Sequence, residues 1–171
     1  MPKGTGFTLI ELITSVAIIG IITAIATPSF NNLVIRTHLE RTTSDFVQSL
    51  ALARTKAAYL HTKVAVIPEG AEWGNGWTVY EDINSDGKIN QNETVFFRHG
   101  PINNSLQIHA GGTIANYIAY IPNGYTARRN NAYLMDSLFF CAPGAKTFNK
   151  KLIINFSGRV RIEDIADSCA N

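Results

Sequence analysis

The chain has 171 residues, enough for one domain with an appendage. Its 46% apolar content suits a folded protein and excludes a low-complexity or repeat architecture. A net charge of +2 excludes a chain whose overall charge dictates its partner.

The first six residues, Met1-Pro2-Lys3-Gly4-Thr5-Gly6, form a short basic leader, 1–6, directly before an apolar run. A secretory signal peptide is cut after its apolar region, so this leader is of another type. From Phe7 to Thr27 the only charge is Glu11. As a helix this stretch rises roughly 30 Å, about the thickness of a hydrocarbon core. It predicts a membrane-spanning half, 7–28, with Lys3 on the cytoplasmic side and the rest of the chain outside. A carboxylate within such a segment is costly and marks a functional position.

Pro28 follows the apolar run. Phe46, Leu50, Ala53, Ala57 and Leu60 then recur at spacings of 4, 3, 4 and 3, the stripe of an amphipathic helix. One long helix is therefore predicted from Thr8 to His61, its amphipathic half covering 29–61. Beyond it, 62–171 predicts a β-rich head. Its expected strands are Lys63–Ile67, Trp77–Glu81, Thr94–Arg98, Leu106–His109, Tyr117–Ile121, Ser137–Phe140, Leu152–Phe156 and Arg159–Glu163. Helix first and strands after predict an α+β fold. Cys141 and Cys169 lie on one side of the membrane segment and are expected to pair.

Asp82, Asn84, Asp86, the Lys88 carbonyl, Asn90 and Glu93 match the spacing of a twelve-residue calcium loop, with Gly87 at its sharp turn. Its flanks read as strands, so the alternative is a hairpin loop rich in turn-forming residues.

Between Asn123 and Ile162, Arg128, Arg129, Lys146, Lys150, Lys151, Arg159 and Arg161 stand against one acid, Asp136, a net +6. Such a patch attracts polyanions and can follow a phosphate backbone. Ser157-Gly158 reads as a two-residue hairpin turn, after which Arg159 and Arg161 point to one face and Val160 to the core. Among the nearby aromatics, Tyr125 and Phe148 lie in turn-rich segments and are candidates for base stacking. His38, His61, His99 and His109 form no metal-ligand spacing, and no nucleophile elbow or phosphate-binding loop occurs, so no enzyme is expected.

The string Gly6-Phe7-Thr8-Leu9-Ile10-Glu11-Leu12 resembles the processing site of type IV pilins and type II secretion pseudopilins. The resemblance implies cleavage after Gly6 by a prepilin peptidase, methylation of the new amine on Phe7, and assembly with other pilin subunits in which Glu11 takes part. The fold implied is a long N-terminal helix packed on an antiparallel β-sheet head, held in the inner membrane with the head in the periplasm. Ala51-Leu52-Ala53-Arg54, Gly76-Trp77-Thr78-Val79-Tyr80 and Ser157-Gly158-Arg159-Val160-Arg161 are similar to the GspH/FimT group of minor pilins and pseudopilins. Gly158-Arg159-Val160-Arg161 resembles the Gly-Arg-x-Arg motif of the DNA-binding competence members of that group. That likeness implies DNA contacts by Arg159, Arg161 and neighbouring basic residues. The alternative is a structural minor pilin or pseudopilin that primes or caps the fibre without binding DNA.

Overall fold

The computed structural model describes residues 6–143 and 148–165, apart from the side chains of 24–29. Helix α1 spans Leu9–Leu60. The chain divides into two compact units, 1–34 and 35–171.

In the first unit the helix starts with a reciprocal cap. The Thr8 hydroxyl accepts from the Glu11 N–H (3.3 Å), and the Glu11 carboxylate accepts from both the Thr8 N–H (2.9 Å) and hydroxyl (2.8 Å). This is a capping box, which satisfies backbone donors that a helix start leaves unpaired. Phe7, Leu9, Ile10, Leu12, Ile13 and Val16 are all exposed. Among the described residues no helix is long and apolar enough to cross a membrane. The span expected over 7–28 runs into the side chains of 24–29, which lie outside the description.

The second unit holds the core. Leu39, Phe46, Leu50, Ala53 and Ala57 are buried along α1, whereas Leu60 is exposed. Leu60 ends the helix, and His61, at φ 54°, turns the chain out of the stripe. Phe46 meets Trp73, Trp77 and Phe140 edge-on at 5.3, 4.9 and 5.5 Å, joining the helix to both sheets.

The strands are β1 (Val64–Pro68), β2 (Trp77–Glu81), β3 (Val95–His99), β4 (Gln107–Ala110), β5 (Ile118–Tyr120), β6 (Thr126–Ala127), β7 (Asp136–Cys141), β8 (Asn149–Ile154) and β9 (Val160–Ile165). They form two antiparallel sheets, β3-β2-β1-β5-β6 and β4-β7-β8-β9. The α+β expectation holds. Two differences bear on the site. β6 has no counterpart among the expected strands, and β8 ends at Ile154 rather than Phe156.

Candidate nucleic-acid interface

The expected two-residue turn is longer. Gly158 N–H donates to the Asn155 carbonyl (2.9 Å) and Asn155 N–H to the Arg159 carbonyl (3.0 Å). The Asn155 side chain accepts from the Ser157 N–H (3.0 Å) and hydroxyl (3.2 Å), which takes Asn155 and Phe156 out of the strand. Gly158, at φ 77°, lies so close to the 121–125 turn that an added Cβ would sit 2.2 Å from the Gly124 carbonyl oxygen. The Arg54 guanidinium, reaching from α1, donates to the carbonyls of Ser157 (3.2 Å) and Gly158 (3.4 Å). Arg159 is thus presented, exposed, on a turn fixed from two sides.

The other basic residues are divided. In the β8–β9 register Lys150 faces Asp164, Lys151 faces Glu163, and Ile153 faces Arg161. Alternation puts Lys150 on the face of the buried Leu152, and Lys151 with Arg161 on the opposite face. Lys150 pairs with Asp164 at 2.7 Å, and Arg161 pairs with Glu163. The Lys150 ammonium, by hydrogen bond and charge, holds the Asp164 carboxyl below the usual carboxylate range. Both acids lie just beyond the stretch that carries +6, so the patch is less polarised than that stretch implies. Lys151 stands over the Phe139 ring at 5.6 Å. Lys146 and Cys169 lie outside the described residues, and Cys141 is buried in β7.

Arg128 and Arg129 are exposed on the turn after β6, closed by Arg128 N–H to the Ala132 carbonyl (2.9 Å). Buried Lys63 donates to the carbonyls of Arg128 (3.5 Å) and Arg129 (3.4 Å). Burial pushes its pKa down, against the opposing pull of Asp82. The Arg129 guanidinium lies over Tyr117 at 5.2 Å. Among the described residues, Arg128, Arg129, Lys151 and Arg159 form no ion pair.

Three tight turns meet beside Arg159, laced by Thr126, whose N–H and hydroxyl donate to the Phe156 carbonyl (3.0 and 3.2 Å). Each brings one exposed ring. Tyr125 comes from the 121–125 turn, Tyr133 from the end of the 128–132 turn, and Phe156 from the 155–159 turn. Their centroids are 6.2, 6.3 and 6.0 Å apart. Phe148, the other stacking candidate, packs instead against the core.

In the 82–93 loop the residues expected of a calcium site bond to one another and to the fold. Asp82 is fully buried and its Oδ2 accepts from the Tyr117 hydroxyl (2.5 Å). Both Glu93 oxygens accept backbone N–H groups, from Ile83 and Asn90, at 3.0 Å. Asp86 accepts from Lys88 N–H (2.7 Å) and from the amides of Asn84 and Asn90 (3.0 Å each). The Lys88 carbonyl accepts from the Asn90 amide (3.4 Å). Among the described residues no group of three Asp, Glu, His or Cys side chains is placed to hold a metal ion. These bonds tie the β2–β3 connection to itself.

The family model described as "Prokaryotic N-terminal methylation motif" matches residues 1–27, and that described as "Type II transport protein GspH" matches 42–158. A fimbrial protein of Pseudomonas aeruginosa is 38% identical over 91 residues, 52% of this chain. The match covers 58% of that relative, under two thirds of its length. The type IV minor pilin FimU of the same organism superposes with a TM-score of 0.62 at 17% identity, over 75% of this chain and 90% of its own. The minor pseudopilin EpsH of the Vibrio cholerae type 2 secretion system gives 0.53 at 12%, over 74% and 97%. At these identities the structural likeness is one of fold. With a two-layer pilin head and the GspH match across most of the chain, this protein belongs to the GspH family of minor pilins and pseudopilins.

Proposed function

We propose that this protein is a minor type IV pilin whose head binds extracellular double-stranded DNA without sequence preference, for DNA uptake. In this reading a prepilin peptidase cuts after Gly6, Phe7 is methylated, and the helix holds the subunit in the inner membrane until assembly with other pilins. A Cys141–Cys169 bond ties the end of the chain to β7. The observation that carries the DNA reading is Arg159, an exposed guanidinium with no ion pair among the described residues, on a turn anchored by Arg54 and Gly124. A guanidinium free of carboxylates keeps its fork for phosphate. Lys151, Arg128 and Arg129 add unpaired positive charge, and Arg161 joins them by exchanging Glu163 for phosphate.

The test is the anisotropy of a labelled duplex titrated with the full chain in detergent micelles, at about 50 and 200 mM salt. Binding in the range of about 10⁻⁴ to 10⁻⁶ M that weakens with salt and with Arg159→Glu is expected. A folded protein that leaves the duplex free at low salt would refute the reading. The Lys150–Asp164 and Arg161–Glu163 pairs favour a second reading, a structural subunit that primes or caps the fibre with its charges internally balanced. In that case deletion costs fibre formation while DNA binding is nil.

A further inference from the structure

We infer that the exposed rings of Tyr125, Tyr133 and Phe156 form a stacking platform for the bases of single-stranded nucleic acid, with Arg159 on the adjoining phosphate. The inference rests on the nucleic-acid reading above and extends it from the backbone to the bases.

The rings are 38%, 63% and 49% exposed. Three large rings left in water together, with the similarly exposed Met135 two residues after Tyr133, are unusual on a monomer surface and mark a contact site. They are held rather than loose. Each pair meets at 60–75°, and the three turns that carry them are closed by backbone hydrogen bonds. A platform of this kind has already lost much of the rotamer freedom that binding would cost it.

Charge chooses the occupant. Residues 121–125, 128–133 and 155–159 contain three arginines and no acid. Phe156 and Arg159 belong to one short turn, so ring and cation lie on the same segment, and in this proposal a base on the ring offers its phosphate to that guanidinium. Rings interleaved with cations are the surface that single strands use, because every base offers a π-face and every link a charge. In a duplex those faces are hidden in the stack, so the platform engages ends, gaps and separated strands while Arg159 serves both forms.

The experiment uses the full chain in detergent micelles, with labelled oligothymidylate and a duplex of equal length as probes. Tyr133→Ala is expected to weaken single-strand binding about fivefold or more, which corresponds to roughly 1 kcal/mol of stacking, and duplex binding less than about twofold. Arg159→Ala weakens both. Tyr133→Trp keeps a ring, retains affinity and has its emission quenched by the single strand, a signal separable from Trp73 and Trp77 because both are buried. Unchanged single-strand affinity in Tyr133→Ala, with the Arg159→Ala loss intact, overturns the platform and leaves the DNA reading standing. Absence of binding to either probe by folded protein overturns both. Oligoglutamate that binds as tightly as oligothymidylate and loses as much affinity in Tyr133→Ala would assign the rings to an acidic protein neighbour and overturn the inference.

Discussion

Tyr80 and Tyr117 both bury their hydroxyls within the field of Asp82. Only Tyr117 has a partner, the Asp82 carboxylate; Tyr80 Oη and Asp82 Oδ1 have none among the described residues. Burial first, then the neighbouring carboxylate, pushes both phenols well above their ordinary range. Removing a hydroxyl that is the hydrogen-bond partner of a buried carboxyl oxygen leaves that oxygen unsatisfied, whereas removing an unpaired hydroxyl does not. Tyr117→Phe is therefore expected to cost on the order of 1–3 kcal/mol in urea unfolding, and Tyr80→Phe to be neutral or stabilising. At Asp136 burial opposes ionisation, but hydrogen bonds from the Thr113 hydroxyl, the Ser137 N–H and the Thr113 N–H, with the charge of Arg128, outweigh it and hold the carboxyl below the usual range. A depressed carboxyl stabilises the fold fully above its unfolded pKa, near ~3.9, and this contribution is lost as pH falls through the folded value. Asp136→Asn should thus melt below the native protein at neutral pH, and thermal melts in acid should show the gap closing. At this scale the sequence reveals residue types and spacings. Gly-Arg-x-Arg is legible, but that Arg161 is paired and Arg159 is not depends on where β9 begins, since Arg161 meets Glu163 two residues along the same strand while Arg159 stays on the turn before it. The Thr8-to-Glu11 spacing of a capping box was also open to reading, beneath the louder signal of a charge in an apolar run.

The β8–β9 hairpin is where charge and topology meet. Its basic side chains lie on both faces of a four-stranded sheet, with β9 at the edge. Glu163 and Asp164 occupy two of them in exposed or half-exposed pairs. Such pairs contribute little to folding, typically under about 1 kcal/mol, so they can be broken without loss of the fold. Glu163→Gln with Asp164→Asn is expected to leave the melting temperature nearly unchanged. If the hairpin contacts DNA, the same change should tighten binding and steepen the salt dependence by about 0.9 for each cation released onto a phosphate. An affinity and slope equal to those of the native chain would mean that Lys150 and Arg161 lie outside the interface, leaving Arg159 as the hairpin's contact. Element order, the helix and most strands were legible because period-two and period-3.6 patterns persist over enough residues. β6 was not, since two residues carry no period. β8 was displaced because Phe156 has strand propensity while the Asn155 side chain bonds across its own turn. The aromatic cluster was half legible. Turn-rich surroundings mark Tyr125 and Phe148, but the partners of Tyr125 are Tyr133, after the next turn, and Phe156, in the turn after β8, which only tertiary contact reveals.

Across the whole molecule, the two units answer to different surroundings. The 35–171 unit carries its own aromatic core around Phe46, and Phe46→Ala should cost about 3–5 kcal/mol in chemical unfolding, with loss of the edge-on contacts to both sheets. Among the described residues of the 1–34 unit there is no such core, and the apolar side chains of Phe7, Leu9, Ile10, Leu12, Ile13 and Val16 are exposed. Its one acid, Glu11, has two candidate roles that ordinary deletion cannot separate. As the third residue of the helix it closes the capping box, and as a carboxylate in an apolar helix it seeks a cation, which the amine freed by the proposed cleavage on a neighbouring Phe7 would supply during assembly. Glutamine divides them, because it serves in a capping box as glutamate does but carries no charge. Glu11→Gln is expected to leave the proposed cleavage after Gly6 intact, read by mass spectrometry of the subunit, and the head's melting unchanged. It should remove the subunit from sheared fibres. Thr8→Val, which spares the charge and removes the hydroxyl of the cap, should by contrast still enter them. Incorporation of Glu11→Gln at the native level, with Thr8→Val excluded, would reverse the assignment and make Glu11 a helix cap.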